Sequence, residues 1–286
     1  MVKKALYFLF LSFSILLNAQ NHRIFYEYSF KMDSLHRENV VQELMVLDIT
    51  KDGSNYYSQE KFVYDSLVNE QFSRARATQS NNINLSNIPR KSKITFSVTK
   101  KYPGFEADFH TSINGDNFVI KESEKQNWKI SPETSDIGGM KAQKATTDFG
   151  GRRWVAWFTN EIQFQDGPYK FNGLPGLILN IEDEKGDHVF KFVELKKMPQ
   201  KVVIFPETKE DELLITKEKF KQLWREYVKD PAKKIRQMLA DSEAQIKVTN
   251  QNGKELSNSE IIRSREQRAK EALKKTNNFL ELSLYQ

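Results

Sequence analysis

Residues 141–182 read KAQKATTDFGGRRWVAWFTNEIQFQDGPYKFNGLPGLILNIE. The apolar residues alternate on either side of Gly150-Gly151, so residues 143–148 are expected to pair back onto 152–158 through a glycine turn. In a strand, neighbouring side chains point to opposite faces, which puts Trp154, Ala156 and Phe158 on one face and Val155 and Trp157 on the other. Residues 160–171 then cross over. Gly173-Leu174-Pro175-Gly176 makes a tight turn, in which proline presets its own φ and Gly176 supplies a positive one, the type II pattern. Residues 177–181 follow as a strand.

The same alternation extends outward. Residues 24–32, 40–49, 56–64 and 94–98 read as strands. Turns fall at Lys51-Asp52-Gly53, Asn114-Gly115-Asp116 and Glu184-Lys185-Gly186-Asp187. Residues 74–89 and 131–139 are polar and read as long connections. Short turns between such runs give an antiparallel meander and not βαβ units.

After Pro206 the period changes. Phe220, Leu223, Trp224, Tyr227 and Val228 lie on one helical face. Asp230-Pro231 restarts the chain with Asp230 as N-cap, and Ile235, Met238 and Leu239 carry a short helix. Ser257 with Glu260 fits a capping box for a third helix, reaching about Lys275. The fold expected is therefore α+β. A curved antiparallel sheet, half-barrel-like, occupies residues 21–205, and a helical region, 206–286, packs on or beside it.

Ahead of the sheet, Lys3 and Lys4 precede a thirteen-residue apolar stretch, 5–17, with a small residue at Ala19. That length is too short to cross a bilayer and has the form of a secretory signal peptide, cleaved after Ala19 or Gln20. The expectation is export to the periplasm, with outer-membrane association or secretion left open, and no transmembrane segment in the mature chain. Cysteine is absent, which excludes thiol nucleophiles, disulfides, Cys-ligated metals and lipid attachment through an N-terminal Cys. Losing Lys3 and Lys4 lowers the formal charge from +6 to +4, and the remaining charges alternate in sign, so nucleic acid is not an expected partner.

Residues 141–182 resemble the GLPGLI family of exported Bacteroidota proteins through the intact Gly173-Leu174-Pro175-Gly176-Leu177-Ile178. Gln143-Lys144-Ala145-Thr146-Thr147, Gly151-Arg152, Ala156-Trp157-Phe158-Thr159 and Gly167-Pro168-Tyr169-Lys170-Phe171 match its other signatures. The resemblance implies export but carries no established activity. Relatives are expected to hold a cysteine where Ala142 stands, so a role for that thiol does not transfer. A looser likeness in architecture is to the half-barrels of periplasmic lipoprotein carriers, which hold an acyl chain against the sheet.

No Gly-x-Ser-x-Gly, His-Glu-x-x-His, P-loop or dinucleotide fingerprint occurs. Ser58/Lys61 and Ser97/Lys100 have the serine–lysine spacing, but in strand-like runs that spacing separates the pair onto opposite faces. Asp183, Asp187 and His188 read as a solvated hairpin tip, and Glu207, Glu210, Asp211 and Glu212 as a charged start to a helix; neither reads as a metal site. Of Arg152 and Arg153, one is expected in solvent and one against a carboxylate such as Asp148 or Glu161, unless an arginine held against Trp154 recognises an anion or partner. Trp154, Trp157, Phe158, Phe171, Leu174 and Leu177 are either core or, with Arg152, the lining of an apolar ligand site.

The leading expectation is a non-enzymatic binding or accessory protein of the envelope, without cofactor, holding an apolar ligand, lipid or peptide on the sheet. The alternative is an interaction component of an outer-membrane assembly, recognised through the polar C-terminal helix and the 167–171 loop. A hydrolase comes third.

Overall fold

The structure, a computed structural model, describes residues 21–80, 85, 87–199, 211–241 and 255–286. The expected leader, with Glu207 and Glu210, lies outside the described residues.

Twelve strands form one open sheet. One antiparallel meander runs through β1 (Asn21–Lys31), β2 (Val40–Ile49), β3 (Gly53–Ser58), β4 (Ser97–Lys101), β5 (Glu106–Ile113) and β6 (Asp116–Glu122). A second runs through β7 (Lys129–Ile137), β8 (Met140–Phe149), β9 (Arg152–Thr159), β10 (Leu177–Asp183) and β11 (His188–Met198). β1 pairs with β11 along nearly its whole length and joins the two. β12 (Glu212–Ile215) adds a parallel strand beside β6. The α+β expectation is borne out.

Register explains the core. Ile24, Leu47, Tyr56, Val98, Phe109 and Ile120 are successive cross-strand partners on six strands. All six are buried. Because side chains alternate along each strand, one buried row fixes the whole inner face. On the other meander that face carries Phe190, Ile181, Ala156 and Ala145, again partners in register. The signature hairpin lies as expected: Trp154, Ala156 and Phe158 are buried, while Val155 and Trp157 are partly covered on the other face.

Four local expectations are corrected. Residues 56–64 do not continue as a strand, because α1 (Gln59–Ala77) starts directly after β3. Ser58 caps it, its hydroxyl accepting the Lys61 N–H at 3.0 Å, and the i,i+4 pairs Lys61–Asp65 and Glu70–Arg74 support it. Residues 131–139 belong mostly to β7, an edge strand that is polar because nearly all of it is exposed; its register shifts around Pro132. Glu212 begins a strand and not a helix, so the sheet extends past Pro206. Asp230 is the C-cap of α2 (Lys217–Lys229) and not the N-cap of α3 (Lys233–Ala240); it binds Arg236 instead.

α2 buries Phe220 and rests Leu223, Trp224 and Tyr227 against the core, with Val228 left exposed. The capping box of α4 (Asn258–Lys275) forms at Ser257 and Glu260 as expected. The chain then returns to the inner sheet face and ends in α5 (Leu282–Tyr285).

The Leu174-Pro175-Gly176 turn is tighter than type II: the Gly176 N–H donates to the Leu174 carbonyl at 2.7 Å. Gly176 has φ +152°, and a Cβ there would stand 2.0 Å from the Thr159 carbonyl oxygen. Glycine is required because the turn passes directly over the end of β9.

Candidate functional site

The signature's 160–176 crossover lies against the inner face, among buried cations that no local pattern marks for burial. Lys100 points inward from β4 and is fully buried. Its ammonium pairs with Asp166 and donates to the carbonyls of Gly167 at 2.8 Å and Tyr169 at 3.0 Å. All three donors are used, and Tyr102 donates to the second Asp166 oxygen. Burial holds the Lys100 pKa below the usual lysine value, against the opposing field of Asp166.

Lys170 is the second such group. It binds Glu122 of β6 at 2.6 Å and Glu281 of the C-terminal segment, and sits 4.1 Å from the Phe109 ring centre. The Tyr169 hydroxyl donates to Glu281 at 2.5 Å, and Lys217 of α2 reaches Glu122 at 3.0 Å. The Tyr-Lys pair of the signature thus fastens the crossover to the sheet, to α2 and to the chain terminus together.

Arg152 is the third. Its Nη1 donates to Asp183 at 3.0 Å and lies 3.7 Å from Asp187. Nε and Nη2 donate to the Phe279 carbonyl at 3.0 and 2.6 Å, and Nη2 also to the Asn278 side chain at 2.6 Å. One arginine is paired and Arg153 is exposed, as expected, but the carboxylates are Asp183 and Asp187 in place of Asp148 or Glu161. Asp183, Asp187 and His188, expected at a solvated tip, are therefore buried, because Arg152, with Arg37 at 2.7 Å from Asp187, neutralises the two carboxylates, while Glu184 and Lys185 stay exposed. Among the described residues no group of His, Asp and Glu could hold a metal ion.

Arg152 and Lys170 together tie residues 277–286 down as a strap. The Ser283 N–H donates to the Gly150 carbonyl at 3.1 Å. Phe279 stacks on Tyr285 at 4.1 Å, and Trp224 meets both rings edge-on. Between strap and sheet lies a slot of about 150 Å³. Its apolar lining comes from Tyr28 and Phe30 of β1, Phe96 and Phe109, and Phe279 and Tyr285 of the strap. Lys93, Thr95, Thr276 and Asn278 also line it.

His188, only 2% exposed, also lines the slot. Its Nδ1 lies 2.7 Å from the Tyr28 hydroxyl, and among the described residues its Nε2 makes no hydrogen bond. Burial, reinforced by the Arg152 charge, lowers its pKa to about 3, although Asp187 and the Asn278 and Phe279 carbonyls oppose the shift. Neutral in the fold, His188 takes a proton on unfolding anywhere between about pH 3 and 6.5. The unfolded chain then binds more protons, so stability falls as pH drops through that window, by roughly 1.4 kcal/mol per unit from this group. Urea unfolding from pH 7 to 4.5 should show that slope, and His188→Met should remove this part of it.

The residues expected from sequence take other places. Trp154, Phe158, Phe171, Leu174 and Leu177 are packed into the core; Arg152 holds the strap, and Trp157 is partly covered on the outer face. None of these seven lines the slot. The 167–171 loop, expected as a recognition surface, has Pro168, Tyr169, Lys170 and Phe171 buried. The strap's aromatics had no sequence signal beyond their own hydrophobicity.

The outer face carries one further constellation. His110 Nδ1 lies 2.9 Å from Glu212 and its Nε2 3.3 Å from the Thr99 hydroxyl, in a small cleft beneath α1. This is the order of a hydroxyl–imidazole–carboxylate relay, though the hydroxyl contact is long for proton transfer. The same bond also ties β12 back to β5. Ser58 donates to Glu43 and Lys61 binds Asp65, so that pair forms no dyad; Lys100 lies inward while Ser97 pairs with His110 on the outer side.

A family model described as "Protein of unknown function (Porph_ging)" matches residues 150–180, which bears out the resemblance to the GLPGLI-type family. No curated protein matches the chain. Among solved structures, PNGF-II in space group P21 is similar at 16% identity over 72% of this chain and 33% of that chain, with a TM-score of 0.49. PNGF-II in space group C2 is similar at 16% identity over 69% and 31%, with a TM-score of 0.46. The chain spans about a third of the length of these neighbours. Among the described residues no helix is long and apolar enough to cross a membrane.

Proposed function

We propose that the chain is an exported, non-enzymatic binding or accessory protein of the periplasm or cell envelope. It would hold a small apolar ligand, or the apolar end of a lipid or peptide, between the sheet and the C-terminal strap. The observation that carries this is the aromatic slot, an apolar-walled hollow between the sheet and the strap. A cavity of about 150 Å³ is large enough for one aromatic ring. The ligand would lie beside Tyr28, Phe96, Phe109, Phe279 and Tyr285, away from Trp154 and Leu177, which are packed into the core.

Native mass spectrometry of the mature protein, taken from its own periplasm without refolding, tests this. The expected result is a discrete mass above that of the processed chain, lost when Thr276→Trp fills the slot mouth. A bare chain mass in the unaltered protein would overturn the reading.

The interaction-protein alternative is favoured by α1, which buries only Ala75 fully and leaves Val63, Leu67 and Phe72 each at least 40% exposed. Under that reading α1 replaces the buried 167–171 loop as the docking face, and the envelope partner would be recovered with the unaltered chain but not with Leu67→Glu.

A further inference from the structure

We infer that the slot takes an uncharged apolar molecule carrying one hydrogen-bond acceptor, such as a phenol, alcohol or ester, and that His188 Nε2–H is the group that reads that acceptor. This inference rests on the binding reading above and names its ligand class.

The tautomer follows from the partners of the ring. Among the described residues the Tyr28 hydroxyl makes a single hydrogen bond, to His188 Nδ1 at 2.7 Å. Burial raises the Tyr28 pKa, so the phenol keeps its proton, and Nδ1 is the acceptor at hand for it. With Nδ1 accepting, the proton of a neutral imidazole resides on Nε2, which is buried and unpaired. An unmade hydrogen bond at a buried donor is costly, and a ligand acceptor removes that cost.

The Asn278 and Phe279 carbonyls both act on the ring and raise its pKa, but neither accepts a hydrogen bond from Nε2, and the Phe279 carbonyl already receives both Nε and Nη2 of Arg152. Charge in the ligand is disfavoured by the surroundings. A carboxylate would have to be desolvated beside Glu281, and Lys93, the basic residue of the lining, is exposed. A cation would have to be desolvated among seven aromatic rings, and Glu281, the acidic residue of the lining, is already engaged by Lys170.

Two near-isosteric probes separate the possibilities. Toluene and p-cresol share the ring and methyl group and differ in one hydroxyl. Each is titrated by ligand-observed NMR into the full-length mature chain and into His188→Met, which keeps the side-chain volume close to native. The expected result is that both bind the unaltered protein, with p-cresol tighter by about 2- to 10-fold, the value of one hydrogen bond. In His188→Met the two should bind alike, at the toluene affinity. Equal affinities in the unaltered protein would overturn the role of His188 while leaving the slot as an apolar site. Failure of both probes to bind would overturn the slot reading itself. Tyr28→Phe provides a second variant: it frees Nδ1 to carry the proton, and the p-cresol preference should shrink while toluene binding persists. An undiminished preference in Tyr28→Phe would overturn the tautomer assignment.

Discussion

Arg152→Met is expected to lower the unfolding free energy by about 3–5 kcal/mol, the cost of removing one partner from a buried ion pair. The guanidinium is 5% exposed at its side chain and faces two carboxylates, a side-chain amide and a carbonyl. With the cation gone, Asp183 keeps the Asp187 and His188 N–H groups, and Asp187 keeps Arg37, but the Phe279 carbonyl loses both donors. For a chain of this size the loss corresponds to a midpoint roughly 10 °C lower in a thermal melt. Hydrogen exchange should localise the damage: the Ser283 amide, bound to the Gly150 carbonyl, should lose protection before the β1–β2 amides do. Arg152→Lys should recover little, because an ammonium cannot reach four acceptors in the planar geometry that the guanidinium spans. Native protection at Ser283 in Arg152→Met would show that the strap does not depend on this residue.

Gly176→Ala is the second large effect expected. The added methyl would lie 2.0 Å from the Thr159 carbonyl oxygen and 2.7 Å from its carbon, both backbone atoms that cannot swing aside. Thr159 is the pairing partner of Leu177, so relief requires opening the end of the β9–β10 pair. Overpacking and backbone strain together set the cost at roughly 3 kcal/mol or more, read as a lower urea midpoint. Gly173→Ala is the control within the same motif. Gly173 has φ +88° but nothing within 4 Å of a Cβ, so it should lose only about 1 kcal/mol, for backbone strain alone. Equal losses at the two positions would remove close approach as the reason for the second glycine of the Gly-Leu-Pro-Gly run.

What the sequence shows well is what repeats at short range. The Gly150-Gly151 hairpin, the faces of Trp154 and Trp157, the α2 stripe and the Ser257–Glu260 box all follow from periods of two or 3.6 and from local caps. Alternation misleads at Phe62 and Tyr64, where it mimics a strand inside a helix. Polarity misleads at 131–139, where an edge strand needs no apolar face. The three buried cation sites are illegible for a different reason. Lysine is almost never buried without a partner, and the partners are far along the chain: Lys100 and Asp166 are 66 residues apart, and Lys170 and Glu281 are 111. The slot inherits that difficulty, because its walls come from β1, β5 and a strap that nothing local marks as returning to the sheet.

The binding claim stands or falls most directly on where an apolar probe rests. Isotope-filtered NOEs from bound p-cresol to the labelled mature chain locate it in one experiment. The expected contacts are to Phe279, Leu280 and Tyr285 of the strap and to Met32 and Thr95 at the rim, with none to Trp157 or Val155 on the outer face. Contacts to Trp157, or none at saturating probe, would contradict a ligand site beneath the C-terminal strap.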